Sequence, residues 1–226
     1  MKLTWYGHAT WALEIGSHKL LIDPFFNDNP ACNRSADDVE ADFVLLTHGH
    51  FDHVADAASI AKRCQSKLIA NYEIATWFQA NHGIVDPIGM NLGGGVDLPF
   101  GRVTMTLAQH SSQLPDGSYG GNPGGFVIEA EGKRIYFAGD TALFSDMKWI
   151  ASKPIDVAVL PIGDLFTMGP DDSVEAVKLL EPKMVIPAHY NTWPPIEQDA
   201  EQWAAQVTRD TEADPKVLQV AESLDI

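Results

Sequence analysis

The segment Thr47-His48-Gly49-His50-Phe51-Asp52-His53 contains four potential metal-binding side chains within six positions. It follows the apolar run 43–46, which predicts a buried strand, and it precedes residues 54–64, which predict a helix. The cluster therefore lies on a turn between a strand and a helix. Side chains two positions apart in an extended chain point the same way, so His48 and His50 share one side of this turn. A polar loop that happens to contain histidines is the alternative, but imidazole and carboxylate groups at this density favour a metal site.

Three more candidate ligands each follow an apolar run later in the chain. They are His110 after the alternating segment 102–109, Asp140 after 134–138, and His189 after 184–187. Because residues at strand ends collect along one edge of a sheet, we expect these side chains to meet the 47–53 turn there. Each of these residues could instead have a purely structural role. Backbone groups can form the hydrogen bonds of either histidine, and Asp140 can be the N-cap of a following helix.

Composition limits the class of protein and its partners. The chain has 226 residues, 45% apolar and 20% charged, which fits one globular domain over residues 1–226. No apolar run reaches the ~18 residues that span a bilayer, and the N-terminus lacks the apolar block of a signal peptide, so we expect a cytoplasmic protein with no membrane partner. The net charge of −16, without a clear basic cluster, argues against nucleic acid as a partner.

The remaining pattern predicts hairpins in the early half and alternating helices and strands in the later half. Gly16-Ser17 is a two-residue turn between strands 11–15 and 18–22. Helices are expected over 72–81, 142–151, 170–181 and 196–211, and a last short strand over 217–220. Residues 26–42 and 111–125 predict long loops. These elements favour two mixed sheets packed together with helices outside.

The order of the ligands resembles the metallo-β-lactamase superfamily: His-x-His-x-Asp-His after a strand, then a histidine, then Gly-Asp-Thr, then a late histidine. Three further segments are similar to its small bacterial and archaeal branch known only as metal-dependent hydrolases, a branch related to the sugar-lactone hydrolases. They are Trp5-Tyr6-Gly7-His8-Ala9, Leu21-Ile22-Asp23-Pro24 and Pro187-Ala188-His189-Tyr190. The resemblance covers the whole chain, and all seven ligands match in kind and order.

This resemblance implies an α+β fold, a four-layer αββα sandwich of two mixed β-sheets flanked by helices, with the site at one edge of both sheets. The implied ligands are His48, His50 and His110 for one metal ion, Asp52, His53 and His189 for a second, and Asp140 as a bridge between them. Asp52 and Asp140 are the predicted catalytic carboxylates. Phe51 departs from the family pattern, because relatives often have a small residue at this position. The resemblance therefore does not predict the width of the pocket.

Such a ligand set favours zinc, with manganese, nickel or iron as alternatives, and needs no thiolate. Two divalent cations about 3.5–4 Å apart lower the pKa of a water between them to about 7, and the hydroxide can attack a carbonyl or phosphoryl group. We therefore predict a dinuclear metal-dependent hydrolase. It uses a metal-bridging hydroxide to cleave a small-molecule ester, lactone, amide or phosphodiester.

Three other functions are weaker predictions. An RNA-processing nuclease of the same superfamily needs an extra basic arm, which this acidic chain lacks. A non-catalytic metal-binding protein conflicts with the complete ligand set. A di-iron oxidoreductase conflicts with the absence of acidic substitutions among the ligands and of an attached flavin domain.

Four residues beside the ligands are candidates for contacts with the substrate or with the ligands themselves: His8, Asp23, Ser111 and Asn191. The resemblance implies that Asp23 orients the His-rich turn, whereas for His8 structural packing is an equal alternative. Ser111 and Asn191 flank ligands and can donate hydrogen bonds to a substrate, as can Ser112. Trp193 is a candidate to line the pocket. The native metal, the substrate and the oligomeric state, including a homo-oligomer, are left open by the sequence.

Overall fold

Two seven-stranded β-sheets stack face to face in a computed structural model that describes all residues, Met1–Ile226. The strands are β1 (Lys2–Trp5), β2 (Trp11–Ile15), β3 (His18–Ile22), β4 (Phe43–Leu45), β5 (Lys67–Asn71), β6 (Ile88–Met90), β7 (Gly95–Leu98), β8 (Gly101–Leu107), β9 (Gly124–Ala130), β10 (Lys133–Phe137), β11 (Val157–Pro161), β12 (Met184–Ala188), β13 (Asp214–Pro215) and β14 (Ser223–Asp225). The first sheet has the order β14-β1-β2-β3-β4-β5-β6, and the second has the order β13-β12-β11-β10-β9-β8-β7.

Six α-helices lie outside the sheets, together with two 3-10 helices over Ala36–Asp38 and Pro194–Ile196. The α-helices are α1 (Phe51–Val54), α2 (Ala57–Cys64), α3 (Tyr72–His82), α4 (Met147–Ile150), α5 (Pro170–Leu180) and α6 (Ala200–Asp210). None of them combines the length and the apolar character needed to cross a bilayer. The predicted αββα sandwich of two mixed sheets is confirmed.

Each sheet changes from antiparallel to parallel pairing along its width. In the first sheet β1, β2 and β3 pair antiparallel, and β3 to β6 pair parallel. In the second sheet β7 to β10 pair antiparallel, and β10 to β13 pair parallel. The hairpin between β2 and β3 has the predicted Gly16-Ser17 turn, with Gly16 in the left-handed region at φ +56°.

Strand β4 shows how the apolar pattern sets the layers. Phe43 and Leu45 face the core between the two sheets, whereas Val44 and Leu46 face a second core under the helices α1 to α3. Successive side chains of a strand point to opposite faces, so a strand covered on both sides is an unbroken apolar run. Because β4 is packed on both faces, it holds in place the first residue of the His-rich turn, Thr47–His53, that follows it.

The helix predicted over residues 54–64 is interrupted. Helix α1 ends at Val54, and α2 begins at Ala57. Asp56 lies between them, and its carboxylate accepts hydrogen bonds from the backbone N–H groups of Phe26 and Asn27 at 2.6 and 3.2 Å. Because this carboxylate holds the 26–27 loop, the chain leaves helical geometry at Asp56.

The helix predicted over 142–151 is wrong for its first half, because only α4 is helical there. The backbone N–H of Ala142 donates to Gln109 O, and Gln109 N donates to the Thr141 hydroxyl, both at 3.0 Å. This segment therefore pairs with the end of β8 instead of with itself.

The strand predicted over 217–220 is also wrong. The backbone groups of Ala221 and Glu222 bond with those of Trp5, so the pairing with β1 begins only after that segment and leads into β14. The last helix begins later than the predicted residue 196. Its N-cap is Asp199, whose side chain accepts from Gln202 N at 2.9 Å.

Candidate metal centre

Seven predicted ligands come together at one edge of the two sheets. The His-rich turn follows β4 of the first sheet, and His110, Asp140 and His189 follow β8, β10 and β12 of the second. Asp140 Oδ2 lies at the centre of the group. Its distances to imidazole Nε2 atoms are 3.0 Å for His189, 3.4 Å for His53, 3.6 Å for His110 and 3.9 Å for His48.

The donor atoms fall into three sets whose members lie within 4.8 Å of one another. The sets are His48, His50 and His110; His8, Asp52, His53 and His189; and His48, His53 and Asp140. The first set is the one that the resemblance implies for one metal ion. The second contains the three residues implied for the other ion, with His8 added. Asp140 contacts members of both, which suits the bridging position.

Asp23 holds the His-rich turn from the buried side. Its Oδ1 accepts from Thr47 N at 2.8 Å, and its Oδ2 accepts from the Thr47 hydroxyl at 2.6 Å and from His53 Nδ1 at 2.8 Å. Burial raises the pKa of Asp23, and its bonds to His53 and Thr47 oppose that rise. Because Nδ1 of His53 donates to Asp23, the other ring nitrogen, Nε2, faces the centre of the cluster.

His8 lies beside the cluster, and both of its ring nitrogens have hydrogen-bonding partners. Its Nε2 lies 2.9 Å from Asp52 Oδ2, and its Nδ1 lies 2.8 Å from the Thr192 hydroxyl. Burial, with the neighbouring His189, lowers the pKa of His8 to about 4, so the ring is neutral near pH 7. Because an ionised carboxylate only accepts, Nε2 carries the proton and Nδ1 accepts from Thr192. His8 therefore orients Asp52 and is more than core packing.

The buried atoms of the cluster fit a bound cation. His53 Nε2, which lies 3.4 Å from Asp140 Oδ2, is buried without a hydrogen-bonding partner, whereas buried polar atoms in proteins are nearly always paired. Burial alone would lower the pKa of His53, but the carboxylates of Asp140, Asp23 and Asp52 raise it well above its usual range. The field at His53 thus favours positive charge, and imidazole with carboxylate is a donor set that divalent transition metals accept.

The structural alternatives for Asp140 and His189 do not hold. Helix α4 begins several residues after Asp140, and the buried Asp140 side chain caps no helix. Although burial opposes it, the imidazoles of His189 and His53 hold the pKa of Asp140 well below its usual range. His189 adopts φ +55°, and its backbone N–H donates to His8 O at 3.0 Å, which leaves its ring directed at Asp140.

A cavity of about 570 Å³ opens above the ligands. Its polar lining residues include His50, Asp52, His110, Ser111, Asp140 and His189. Its apolar lining residues include Phe51, Leu114, Pro115, Phe166 and Trp193. The volume is within the range of small-molecule sites, about 300–1,000 Å³.

Of the residues predicted to contact a substrate or to line the pocket, Ser111 and Trp193 lie at the cavity and Asn191 does not. Ser111 lines the cavity, with its hydroxyl 3.3 Å from His50 Nε2. Trp193 lines it as well. Asn191 does not: it faces a separate cavity with Trp5 and Tyr190, and its Oδ1 accepts from Gln198 N at 2.7 Å. The structure does not bring Asn191 to the ligands, because its side chain instead ties its own loop together.

Two contributors to this site, Thr192 and Phe166, were not predicted from the sequence, and Ser112 holds a loop instead of facing a substrate as predicted. Thr192 bonds His8, and the Ser112 hydroxyl accepts from Gly49 N at 3.0 Å and donates to Gly120 O at 2.9 Å, which fixes the 111–125 loop to the His-rich turn. Phe166 lines the cavity from the loop after β11. Thr192 and Phe166 lie in loops without a periodic pattern, and the one signal available was the position of Thr192 close to His189 in the chain.

Gly139→Ala should disturb the centre by moving Asp140. Gly139 has φ +63°, and a Cβ there would lie 2.9 Å from Gly124 O and 2.9 Å from Thr47 Cβ. We expect a loss of about 1–3 kcal/mol in the free energy of unfolding and weaker metal binding. Urea unfolding and metal titration measure both. Gly117→Ala is the control, because Gly117 also has positive φ (+85°) but open space around its Cβ position. Equal effects of both substitutions would show that backbone conformation alone is responsible.

The chain is similar in sequence and in structure to known metal-dependent hydrolases. Residues 18–190 match the model of the family described as beta-lactamase superfamily domain. The chain is 45% identical to a UPF0173 metal-dependent hydrolase of Methylacidiphilum infernorum, over 99% of each chain. It is 46% identical to a UPF0173 metal-dependent hydrolase of Pelotomaculum thermopropionicum, over 100% of each chain. Among solved structures it is similar to Igni18, a metallo hydrolase of Ignicoccus hospitalis, with 35% identity, a TM-score of 0.88, and coverage of 99% of this chain and 97% of that one.

Proposed function

The chain belongs to the beta-lactamase superfamily domain family and to its UPF0173 metal-dependent hydrolases, and from that premise we propose that it is a dinuclear hydrolase of a small ester, lactone, amide or phosphodiester. The observation that supports the proposal is the set of imidazole nitrogens around Asp140 Oδ2, between 3.0 and 3.9 Å away. We propose that residues 1–226 act as one domain, because both sheets supply ligands. A cytoplasmic location and the absence of a membrane partner stay predictions of the sequence.

We propose that each metal ion has three ligands of its own and shares Asp140. The ligands are His48, His50 and His110 for one ion, and Asp52, His53 and His189 for the other. Zinc is the proposed metal, with manganese, nickel and iron as alternatives, because the donors are imidazoles and carboxylates without thiolate. When bound, two divalent cations supply the charge that lowers the pKa of a water molecule and polarises the bond to be cleaved.

The side chains of the protein hold these groups in place. Asp23 fixes the ring of His53, and His8 fixes Asp52 through its bond to Oδ2. Asp52 and Asp140 both line the cavity, and we propose that Asp52 accepts a proton from the attacking water, because Asp140 Oδ2 is surrounded by histidine rings. In ester hydrolysis the water oxygen forms a bond to the carbonyl carbon, and the bond from that carbon to the leaving oxygen breaks. The leaving oxygen takes a proton, so that an acid and an alcohol leave.

The cavity argues against the RNA-processing alternative. Its lining residues include no Lys and no Arg, and the chain has a net charge of −16. Binding a nucleic acid backbone depends on cationic side chains that neutralise phosphates. We therefore propose a small-molecule substrate. Tight binding of structured RNA in a filter assay at low salt would reverse this conclusion.

Elemental analysis of protein purified without added metal tests the dinuclear proposal directly. We expect two equivalents of one transition metal per chain, loss of hydrolysis after chelation, and recovery when that metal is restored. His50→Ala should lower kcat/KM by more than about 100-fold, because losing a ligand exceeds the 10–100-fold effect typical of residues that support ligands.

His82→Ala is the matched control for His50→Ala, because His82 ends helix α3 among Trp77 and Phe78, outside the cavity. It should keep both metal content and turnover. A protein with metal but no turnover of any ester, lactone, amide or phosphodiester would support the non-catalytic alternative. Full activity in the His50→Ala protein would contradict the ligand assignment.

A further inference from the structure

We infer that the substrate is a neutral carbonyl compound, an ester, lactone or amide with an apolar substituent next to the bond that is cleaved. The inference rests on the proposed function and narrows it, because it excludes anionic phosphodiesters as the preferred class. It comes from two features of the cavity: its aromatic walls and the absence of a cationic side chain among its lining residues.

One wall is a fixed aromatic cluster. The ring of Phe51 lies 6.1 Å from that of Trp193, and both contact the fully buried Phe25, at 5.8 and 5.9 Å. Trp193 also lies 5.0 Å from the ring of His8, which connects the cluster to the ligand network. Phe25 anchors the cluster while Phe51 stays 54% exposed beside the ligands. An apolar group of a substrate can therefore pack on Phe51 without moving the protein.

A second apolar contribution comes from the turn after β11. Leu165 and Phe166 are 64% and 54% exposed, and Phe166 lines the cavity. Asp164 and Leu165 have φ values of +61° and +30°, a region that a bulky residue such as leucine rarely adopts. The turn is held by Thr167 N donating to Asp164 O at 2.8 Å and by Met168 N donating to Thr141 O at 2.9 Å.

Strain of this kind occurs at ligand-binding segments, and large exposed apolar groups beside a cavity mark binding surfaces. Neither side chain contributes to a core in its present position. The turn therefore places Phe166 in the wall of the cavity and leaves Leu165 exposed beside it in the chain. Phe166 and Phe51 together add apolar surface to a cavity whose other lining residues include the proposed ligands.

The charges in the cavity fit a neutral substrate. The charged lining residues are the carboxylates Asp52 and Asp140, and both are proposed metal ligands. Metal ions would attract an anion to the floor of the cavity, but the walls provide no cation for the remaining phosphoryl oxygens. Sites that transfer phosphoryl groups commonly add Arg or Lys to the metal ions. A carbonyl oxygen needs one electrophilic contact, and the rest of the molecule can be apolar.

The test compares substrates that share a bond and differ in the apolar group. The pairs are 4-nitrophenyl acetate with 4-nitrophenyl phenylacetate, δ-valerolactone with α-phenyl-δ-valerolactone, and acetamide with phenylacetamide; bis(4-nitrophenyl) phosphate is the anionic probe. With the metal-loaded full chain, we expect kcat/KM to be on the order of 10–100-fold higher for the apolar member of each cleaved pair, from burial of one aromatic ring. The phosphodiester should be cleaved more slowly than either member.

Phe51→Ala and Phe166→Ala should each reduce this preference by about tenfold, mainly through KM, and Phe51→Leu should retain most of it. Metal content and thermal stability are measured for every variant to show that the centre is intact. Trp149→Ala is the control, because Trp149 is 68% exposed on α4 and does not line the cavity. It should keep the preference of the unmodified protein.

The outcomes separate this inference from the proposed function. No turnover of any probe by protein with two bound metal ions would contradict the proposed function. Turnover without preference for the apolar member, a preference unchanged in both Phe variants, or bis(4-nitrophenyl) phosphate as the best substrate would overturn the inference alone.

Discussion

Asp140→Ala protein is expected to bind at most one metal ion per chain and to lose at least about 10³-fold in kcat/KM. Asp140 Oδ2 is the atom that contacts the imidazoles of both proposed metal sites, from 3.0 Å for His189 to 3.9 Å for His48. Without it, Asp52 is the one carboxylate left among the proposed ligands to balance two divalent cations. Removing even one preorganised charged or hydrogen-bonding group from an active site costs on the order of 10²–10³-fold, and here the metal pair is lost as well.

Metal content by mass spectrometry and kcat/KM on the best substrate measure this prediction. Asp146→Ala is the control, since Asp146 is an exposed residue on the same loop, and its side chain makes no cap bond to α4. Asp140→Asn keeps the shape of the side chain but removes its charge, so it should also lose the second ion. Two bound ions with normal turnover in the Asp140→Ala protein would refute the bridging role.

Asp23→Ala should produce the largest loss of stability near the site, about 3–5 kcal/mol in the free energy of unfolding of the metal-free protein. Removing one partner of a buried pair has a cost of this size. Three donors lose their acceptor: Thr47 N, the Thr47 hydroxyl and His53 Nδ1. The affinity for metal should fall about 10–100-fold, because His53 is no longer held in its ligand orientation.

Urea unfolding and competition with a chelator measure the two effects of Asp23→Ala. Asp42→Ala is the matched control: Asp42 is an exposed residue in the same sheet region, and its carboxylate accepts one backbone hydrogen bond, from Lys19 N at 2.8 Å. It should cost less than about 1 kcal/mol and leave metal affinity unchanged. If Asp23→Ala changed neither quantity more than Asp42→Ala does, Asp23 would not be the support of the His-rich turn.

The sequence predicted those parts of the fold whose cause is local. The Gly16-Ser17 turn depends only on the residues of its own hairpin. The apolar run at β4 indicates a strand that is buried on both faces. The helix prediction failed at residues 142–146 because Ala142, at the start of the segment, bonds to Gln109, far away in the sequence. Strands β6 and β7 were missed, since they have only three and four residues and each contains a glycine.

In the candidate site, too, features set by the local sequence were predicted and features set by distant contacts were not. The candidate ligands were recognisable because each follows a strand and because their order matches a family pattern. Their partners were not: Thr192 meets His8 across 184 positions, and nothing in the sequence pairs them. Asn191 was assigned to the substrate side because it lies close to His189 in the chain, but the left-handed backbone at Asn191 directs this loop elsewhere. Proximity in sequence is therefore a weak guide in loops, where the direction of a side chain depends on individual dihedral angles.

The division of the proposed ligands between the two sheets also has a consequence for the stage of biosynthesis at which the protein can bind metal. The His-rich turn leaves the ribosome early, whereas His189 follows only with β12, and β1 gains its partner β14 from the last residues of the chain. A nascent chain therefore offers at most a partial set of donors, from which ions dissociate readily. Because ions that bind only the assembled site stabilise the folded state, we expect loading to be the final step of maturation and to trap the closed pair of sheets.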